Sequence, residues 1–525
     1  MFSYRKFFSM HRAGKVPDAV PGCVFPVDDW TRLDRFLTLG SEAGSYSAAE
    51  RPPARENTDG TVKAIKKNGE HAVARIAEVS LSRRAPRNDP AIFALALAAS
   101  LGNDKTKRAV TAAIPKVCRT AGDLFQFARE TERLGVSLRE LRRGIAAWYT
   151  GMSVDQLAMQ MVTYQPRGGW GHRELLRLAQ PWTAEPARKA LLEWIRRGVA
   201  SPALPRPAAA YVSLQKAKVA DEAAAIILKH GLPPEAAPPV WQDSPKVWRA
   251  FLAHMPVTAL LSNLGKLTSM GILTPTNGLP FVLSALSNSS VKAAHIQPLT
   301  ILFALKAYAQ GHGEKGTPSW EPVPQIAEAL NNAFTAAFAN VEPTRKRVLL
   351  ALDVSGSMAT GGIAGTPLSA RDASAAMALI TAATEKSGTI AGFTAADTAD
   401  GCSQHAVLRT LPFSRDMRLD DAVRVIENLP FGGTDWSLPI LCALEQRIGV
   451  DAFVVYTDND TWPGRVQPAD ALRAYRSRTG IPAKLAVVGV GSSGFAIADP
   501  DDGGMLDVIG FDAAAPGVIA DFIRA

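Results

Sequence analysis

The stretch Val348-Leu-Leu-Ala-Leu-Asp353-Val-Ser-Gly-Ser357 decides the fold of the last third of this chain. A continuous apolar run is typical of a strand that is buried on both faces of a parallel sheet. The run ends at Asp353, and the turn that follows adds the hydroxyls of Ser355 and Ser357. Carboxylate and hydroxyl oxygens are the hard ligands that Mg²⁺ and Mn²⁺ prefer. The stretch therefore predicts a buried strand whose end presents a divalent-cation site.

Two later segments supply the remaining parts of such a site. Gly432-Gly433-Thr434-Asp435 precedes a helical pattern, and Tyr456-Thr-Asp458-Asn-Asp460 closes the strand-like run Ala452-Phe-Val-Val455. Open α/β sheets bind their ligands at the carboxyl ends of parallel strands, where several loops converge. The sequence thus predicts one metal site, to which the turn at 353–357 and these two segments contribute oxygen ligands.

Strands and helices alternate from residue 348 onward. Apolar runs predict strands at 348–352, 389–393, 452–456 and 484–490. Amphipathic patterns predict helices at 368–386, 420–428, 437–447 and 468–479. This alternation is typical of a doubly wound, parallel α/β sheet of the Rossmann-like kind.

The first two thirds of the chain predicts helix after helix. Apolar residues recur at three-to-four spacing, and Gly, Pro or Asn-Asp separates the segments. The predicted helices span 61–78, 90–101, 106–118, 121–134, 138–149, 154–163, 173–179, 186–197, 216–229, 244–254, 258–268, 298–308 and 323–338. Each pair would bury its apolar stripe against its neighbours, as in a solenoid. The Pro/Ala-rich stretches 201–210 and 232–240 are predicted connections inside this region.

The net charge of +9 is unevenly distributed. Residues 348–525 hold 13 Lys and Arg against 21 Asp and Glu, whereas the preceding residues hold 45 against 28. A basic region joined to an acidic one suggests that the basic region contacts a polyanion. The alternative is that the surplus Lys and Arg only keep helical surfaces soluble. The charge alone leaves both interpretations open.

Composition limits the class and location of the protein. A chain of 525 residues with 47% hydrophobic content predicts two or more domains with sizeable cores. It has no run of eighteen apolar residues, and its N-terminus is not typical of a secretion signal. The four cysteines are scattered, without Cys-x-x-Cys. We expect a cytoplasmic monomer without a membrane span, disulfide framework or zinc site.

Two resemblances to known families follow from these motifs. The ordered set Asp-x-Ser-x-Ser, Thr and Asp resembles the metal-ion-dependent adhesion site of von Willebrand factor A domains. The stretch Gly169-Trp-Gly-His-Arg-Glu-Leu-Leu-Arg-Leu178 is similar to the TROVE module, as are 30–46, 85–90, 115–120, 124–125, 256–266 and 301–313. A TROVE module directly before an A domain is the layout of the Ro family of ribonucleoproteins. We therefore assign 1–345 to a TROVE-type RNA-binding region and 346–525 to an A-like domain.

The Ro resemblance implies a specific architecture and RNA ligands. The implied fold is an α-helical ring of HEAT-like repeats, closed by the A domain. In that family the central hole takes single-stranded ends of misfolded or decaying RNA, and the basic outer surface binds a small noncoding Y RNA. The resemblance also implies that bacterial members bring such RNAs to an exoribonuclease such as polynucleotide phosphorylase. This chain departs from the family pattern at Thr163 and Ser262, where family members usually carry Lys and Arg.

The A-domain resemblance implies how the metal would be held. Ser355 and Ser357 would bind the ion directly, and Asp353 and Asp458 directly or through water. Thr434 would join in one of two loop states. A coordination position left open would accept a carboxylate from a partner protein. The alternative for the turn at 353–357 is a helix start that Ser side chains cap.

Basic and aromatic residues of the helical region are the candidate RNA ligands. In Arg167-Gly-Gly-Trp-Gly-His-Arg173, glycines precede a predicted helix whose free amides and dipole suit a phosphate. Arg173 and Arg177 lie one turn apart on one face, and we interpret Trp170 and His172 as stacking surfaces for an unpaired base. For each cation the alternative is a solvated face, and for Trp170 it is packing. The candidates are Lys116, Arg119, Arg139, Arg142, Arg143, Arg167, Trp170, His172, Arg173, Arg177 and Lys266.

The sequence therefore predicts an RNA-binding scaffold without catalytic activity. The competing hypothesis is a metal-bridged adhesion or assembly module that binds no RNA, with the helical part as a spacer. Salt dependence separates the two, because binding of a polyanion weakens steeply as salt rises. A metal-dependent hydrolase is disfavoured, because one redox-inert ion with Ser ligands lacks a positioned base.

Overall fold

The computed structural model describes residues 25–47, 58–82, 85–166, 168–313, 318–360, 363, 368–394, 407–414, 417–427, 429, 434–458, 466–490 and 497–525. Within these ranges, helices occupy most of the chain up to residue 340, and a seven-stranded sheet with flanking helices follows. The described helices are all too short or too polar to cross a membrane.

Eighteen α-helices form the described part of the helical region. Capping residues start several of them where the sequence predicts, since Thr120 with Asp123 and Ser153 with Gln156 form reciprocal capping boxes. The helices are α1 (Asp29–Leu39), α2 (Asp59–Lys67), α3 (Gly69–Ser82), α4 (Asp89–Leu101), α5 (Asp104–Val117), α6 (Ala121–Arg133), α7 (Arg142–Thr150), α8 (Val154–Thr163), α9 (His172–Ala179), α10 (Pro186–Arg197), α11 (Arg206–Lys216), α12 (Ala220–His230), α13 (Pro245–Leu252), α14 (Val257–Ser269), α15 (Gly278–Ala285), α16 (Asn288–Ala293), α17 (Pro298–Ala309) and α18 (Pro324–Ala336).

These helices pack mainly on neighbours that are one or two positions away along the chain. Helix α3 packs on α4 and α5, α5 packs on α7, and α12 packs on α13. Their buried residues form one apolar core over 33–208, while those of 210–338 join the core on one face of the sheet. The predicted solenoid of irregular helical repeats is therefore confirmed.

The sheet has the strand order β1-β7-β6-β5-β2-β3-β4. All neighbouring strands are parallel except β3 and β4, which are antiparallel. The strands are β1 (Ser45–Ser47), β2 (Val348–Asp353), β3 (Thr389–Thr394), β4 (Val407–Thr410), β5 (Ala452–Thr457), β6 (Lys484–Gly489) and β7 (Met505–Ile509), and the helices of this part are α19 (Ser357–Thr360), α20 (Ala370–Thr384), α21 (Leu419–Glu427), α22 (Leu438–Glu445), α23 (Pro468–Thr479) and α24 (Ala515–Arg524). Every residue of β2 and β5 is buried, which explains their unbroken apolar sequences.

Several predicted elements need correction. The single helix predicted at 61–78 is two helices, because the backbone of Asn68 between them is extended, with φ −156° and ψ 91°. The stretch 201–210, predicted to be a connection, contains the start of α11, whose first turn tolerates Pro207. The sheet is not wholly parallel, because the edge strand β4 runs against β3.

The two ends of the helical region meet at the sheet. On one side, β1 pairs with β7, and the guanidinium of Arg35 in α1 donates to the backbone oxygens of Pro500 and Asp502, each at 2.9 Å. On the other side, Lys306 of α17 donates to Asp372 of α20 at 2.9 Å. The sheet domain therefore closes the helical repeats into a ring, and one of its strands comes from the helical part of the sequence.

Candidate metal centre and nucleic-acid interface

Four of the five predicted metal ligands form a hydrogen-bonded cluster at the carboxyl edge of the sheet. Asp353, the last residue of β2, is only 1% exposed. Its Oδ1 accepts from the amide of Ser355 at 2.8 Å, and its Oδ2 accepts from the hydroxyl of Thr434 at 3.0 Å. The hydroxyl oxygens of Ser355 and Ser357 are 3.1 Å apart. The turn after β2 and the segment before α22 thus converge as the sequence predicts.

Asp458, the fifth predicted ligand, directly follows β5 and is buried. Burial is the main cause that raises the pKa of Asp353, and the negative charge of Asp458 raises it further. Hydrogen bonds from Ser355 and Thr457 act in the opposite direction. Two carboxylates in one low-dielectric site repel each other, and a cation between them relieves that repulsion.

The donor set fits a hard divalent cation. Two carboxylates and three hydroxyls are all oxygen donors, which suit Mg²⁺ or Mn²⁺ better than zinc. Nowhere in the described ranges do three His, Cys, Asp or Glu side chains group closely enough to hold a metal. A cation at this site would therefore depend on hydroxyl oxygens from the turn after β2 and the segment before α22. Gly432, Gly433 and Asp460 of the sequence motifs lie outside the described residues.

The cluster has one further member, Thr457, which the sequence motifs do not single out. Its hydroxyl donates to Asp353 Oδ2 at 2.9 Å and accepts from the indole of Trp436 at 3.2 Å. Its position one residue before Asp458, at the end of a strand, was a usable signal. Thr457 fixes the orientation of the Asp353 carboxylate from the neighbouring strand.

Four of the candidate RNA ligands line one cleft of about 960 Å³. Arg139 lies in the turn before α7, and Arg142 is the first residue of that helix. Trp170 lies in the loop before α9, and Arg177 lies in the last turn of α9. The cleft therefore gathers three guanidinium groups and one indole from segments that are up to 38 residues apart. We call this surface the arginine cleft.

Two acidic residues also line the arginine cleft, and the sequence analysis did not single them out. Glu132 accepts a hydrogen bond from the Trp170 indole N–H at 2.9 Å, which holds the indole against the wall. Glu174 lies on α9, one turn before Arg177. The three arginines of the cleft are exposed, and none forms an ion pair with any other described residue. Their positive charge is therefore not neutralised by an ion pair and is available to an anion in the cleft.

The interpretation of His172 as a base-stacking residue is wrong. His172 is 6% exposed, and its Nδ1 is 3.0 Å from the hydroxyl oxygen of Tyr149. Its ring contacts the edge of Phe125, with a centroid distance of 4.9 Å. Burial lowers the pKa of His172 to about 4, so the ring is neutral at pH 7. The first side chain of α9 thus packs in the core.

The remaining candidates are more dispersed. Lys116, Arg119, Arg143 and Arg173 are exposed on the first half of the helical region, outside the lining of the arginine cleft. Lys266 lies on α14, in the other half, with its Nζ 4.3 Å from the ring centroid of Trp248 and 3.9 Å from Asp243. Arg167 lies outside the described residues.

Comparisons with known proteins agree over nearly the whole chain. The TROVE domain model matches residues 16–230 and 234–307, and the Ro60 vWA domain model matches residues 347–523. The chain is 40% identical over 512 residues to the RNA-binding protein RO60 of Deinococcus radiodurans, which covers 96% of this chain and 94% of the relative. It is 32% identical over 591 residues to the RNA-binding protein RO60 of Caenorhabditis elegans, which covers 97% and 90%. The crystal structure of the Deinococcus radiodurans RO (RSR) protein matches with a TM-score of 0.87 at 39% identity, over 95% of this chain and 99% of that one.

Proposed function

Because this chain belongs to the family in which a TROVE domain precedes a Ro60 vWA domain, we propose that it binds RNA and holds RNA phosphates in the arginine cleft. Relatives that share most of its length are named RNA-binding proteins. The observation that carries the proposal is the group of exposed guanidinium groups from Arg139, Arg142 and Arg177 on one concave surface.

Two arginines elsewhere on the molecule, unlike those of the cleft, are paired with carboxylates. Arg75 pairs with Asp34, and Arg347 pairs with Asp451 in a two-pronged contact. The cleft arginines lack such pairs within the described residues even though two glutamates line the same cleft. A planar guanidinium matches the geometry of a phosphate, and it suits phosphate contacts better than the point charge of lysine.

Trp170 gives the cleft a second mode of contact. Its indole lies partly exposed in the wall, held by its hydrogen bond to Glu132. Single-stranded nucleic acids bind to basic grooves that also carry aromatic faces for their bases. The combination therefore favours an unpaired strand over the surface of a regular duplex.

The finer function that we propose is that of a non-catalytic scaffold in RNA quality control. Its RNA ligands would be a small Y-like noncoding RNA and the single-stranded ends of misfolded or decaying RNA. An exoribonuclease would receive such RNAs from the complex. The acidic sheet domain would contribute a Mg²⁺ or Mn²⁺ site, through which a partner's carboxylate docks. The basic balance of the helical region and the acidic balance of the sheet region support this division.

The test of RNA binding compares two double variants of equal charge loss. Arg139→Ala with Arg177→Ala removes two cleft cations, whereas Lys386→Ala with Arg424→Ala removes two exposed cations of the sheet domain. Affinity for a fluorescent RNA with an unpaired end is measured by anisotropy over a series of KCl concentrations. We expect the cleft variant to bind more weakly, and its slope of log affinity against log salt to fall by about 1.4, because each lost phosphate contact removes about 0.7.

The control variant should keep the affinity and slope of the native protein. Equal behaviour of the two variants would place the RNA elsewhere on the molecule. A native protein with only weak RNA affinity at low salt would remove the proposed function and leave the assembly-module hypothesis.

A further inference from the structure

Trp182 has the most exposed large hydrophobic side chain in the described part of the chain. It is 83% exposed, compared with 71% for Val240 and 68% for Val199. An indole presents a large apolar surface, and such surfaces mark contact sites when the fold does not bury them. The helical core around α9 and α10 leaves this side chain uncovered, so packing does not account for it.

The backbone of Trp182 is fixed next to the arginine cleft. The cleft wall includes Leu178 and Gln180 at the end of α9, and Trp182 follows two residues later. Its Cα therefore lies within about 7.6 Å of the Gln180 Cα, because consecutive Cα atoms are 3.8 Å apart. Gln180 ends α9 in the left-handed conformation, and Pro181 between them is buried. The short link to α10, which packs on α9, thus holds the backbone of Trp182 close to the cleft wall.

We propose that Trp182 is a stacking platform for an unpaired base of the RNA strand whose phosphates occupy the arginine cleft. The proposal rests on the proposed function, and it adds a base-binding site to the phosphate contacts. Every nucleobase has an apolar face that an exposed indole can cover without sequence preference. In a duplex the adjacent base pairs stack on that face and cover it, so the platform selects strands with unpaired bases.

The charges beside Trp182 favour RNA over a protein as the occupant. Arg177 lies one helical turn before the link, and Lys189 is exposed on the first half of α10. Neither forms an ion pair with another described residue. An exposed aromatic face with unpaired cations nearby along the chain suits single-strand binding, in which stacking and phosphate contacts alternate along the strand.

The experiment uses the full-length chain with three substitutions. Trp182→Ala removes the platform, Trp182→Phe keeps a smaller aromatic face, and Val240→Ala removes another exposed apolar side chain. Anisotropy measures the affinity of each for an unstructured 12-nucleotide RNA and for a blunt 12-base-pair RNA duplex over a KCl series. We expect Trp182→Ala to weaken binding of the single strand about fivefold or more. Its duplex affinity and salt slope should match those of the native protein. Trp182→Phe should retain most of the affinity for the single strand, and Val240→Ala should retain all of it.

Each other outcome has a definite meaning. Native affinity of Trp182→Ala for the single strand would overturn the stacking proposal, and so would an equal loss for the duplex. In either case the proposed function would still hold if the double variant Arg139→Ala with Arg177→Ala bound RNA more weakly and with a smaller salt dependence. If neither the arginine variant nor the Trp182 variants lost RNA affinity, the RNA would have to bind elsewhere on the molecule. A native protein that binds neither probe would contradict RNA binding itself, and it would leave Trp182 to a protein partner.

Discussion

At the scale of single residues, burial decides the role of a side chain more than its chemical type does. His172 and Trp170 are two residues apart in a glycine-rich segment, and the sequence assigns both to base stacking. Trp170 lines the arginine cleft, whereas His172 packs against Phe125 and Tyr149. His172 shares the buried face of α9 with Leu175, Leu176 and Ala179, whereas Trp170 lies in the loop before that helix.

The burial of His172 predicts a pH-dependent stability. Its pKa is about 4 in the folded protein and 6.5 in an ordinary environment. Below pH 6.5 the His172 ring is protonated in the unfolded chain but not in the folded chain. The free energy of unfolding therefore decreases as the pH is lowered, until about pH 4. Between pH 7.5 and pH 5 the loss is about 2 kcal/mol. The thermal midpoint of the native protein should therefore fall more over this range than that of His172→Gln.

A second histidine variant serves as the control for this measurement. His254 is exposed, so the His254→Gln variant controls for the loss of one imidazole from the surface. Identical pH profiles for the native protein and His172→Gln would show that the His172 ring takes up a proton within the fold. The prediction would then fail.

At the scale of elements, strand ends and helix starts position both candidate sites. The register between β2 and β5 sets Leu352 beside Tyr456, so Asp353 and Thr457 come to the same edge. Helix α7 begins at Arg142 rather than at the predicted 138, and the preceding turn presents Arg139 to the cleft. The apolar stripe Leu138, Leu141, Ile145 and Trp148 is buried as the sequence predicts. The burial of this stripe could be predicted from the sequence, because the residues on one face of a helix recur every three to four positions.

The convergence of oxygen ligands at the strand ends predicts that the protein binds Mg²⁺. Isothermal titration of the native protein with Mg²⁺ should show one site per chain. Asp458→Asn should abolish the heat of binding, because it removes one of the two carboxylate charges while keeping the size of the side chain. Asp470→Asn removes an exposed carboxylate that pairs with Arg473, and it should bind as the native protein does. Equal heats for native protein and Asp458→Asn would exclude this carboxylate as a ligand.

At the scale of the whole molecule, the ring closes through polar contacts between distant segments. Arg35 is 8% exposed and donates to two carbonyl oxygens of the 500–502 loop. Gly44 is required beside it, because its φ is +72° and a Cβ would lie 3.2 Å from the Arg35 guanidinium carbon. Pairing with the sheet begins at the same glycine, directly before β1, where the Asp507 amide of β7 donates to the Gly44 oxygen at 3.0 Å. The start of the helical region is thus built into the sheet domain.

Removal of the Arg35 side chain should loosen this closure. Arg35→Gln leaves the buried Asp502 oxygen and the partly buried Pro500 oxygen without their charged donor, and the expected loss of stability is about 3 kcal/mol. Hydrogen–deuterium exchange of the amides in β1 and β7 should therefore become faster. Arg32→Gln breaks the pair with Asp501, which is 80% exposed, so exchange in the same strands should change little. Unchanged exchange in Arg35→Gln would show that strand pairing alone holds the ring closed.

The sequence alone predicts the order of most elements, the convergence of oxygen-bearing side chains at one edge of the sheet, and the family of the chain. These features depend on local periodicity, on strand ends and on ordered motifs, all of which are properties of consecutive residues. The tertiary structure alone decided that Ser45–Ser47 adds a strand to a sheet formed by residues some 300 positions later, that β4 runs antiparallel, and that His172 is buried. It also decided which arginines share a concave surface. These outcomes depend on contacts between distant segments, whose free energy is set by shape and burial rather than by any short pattern of residues.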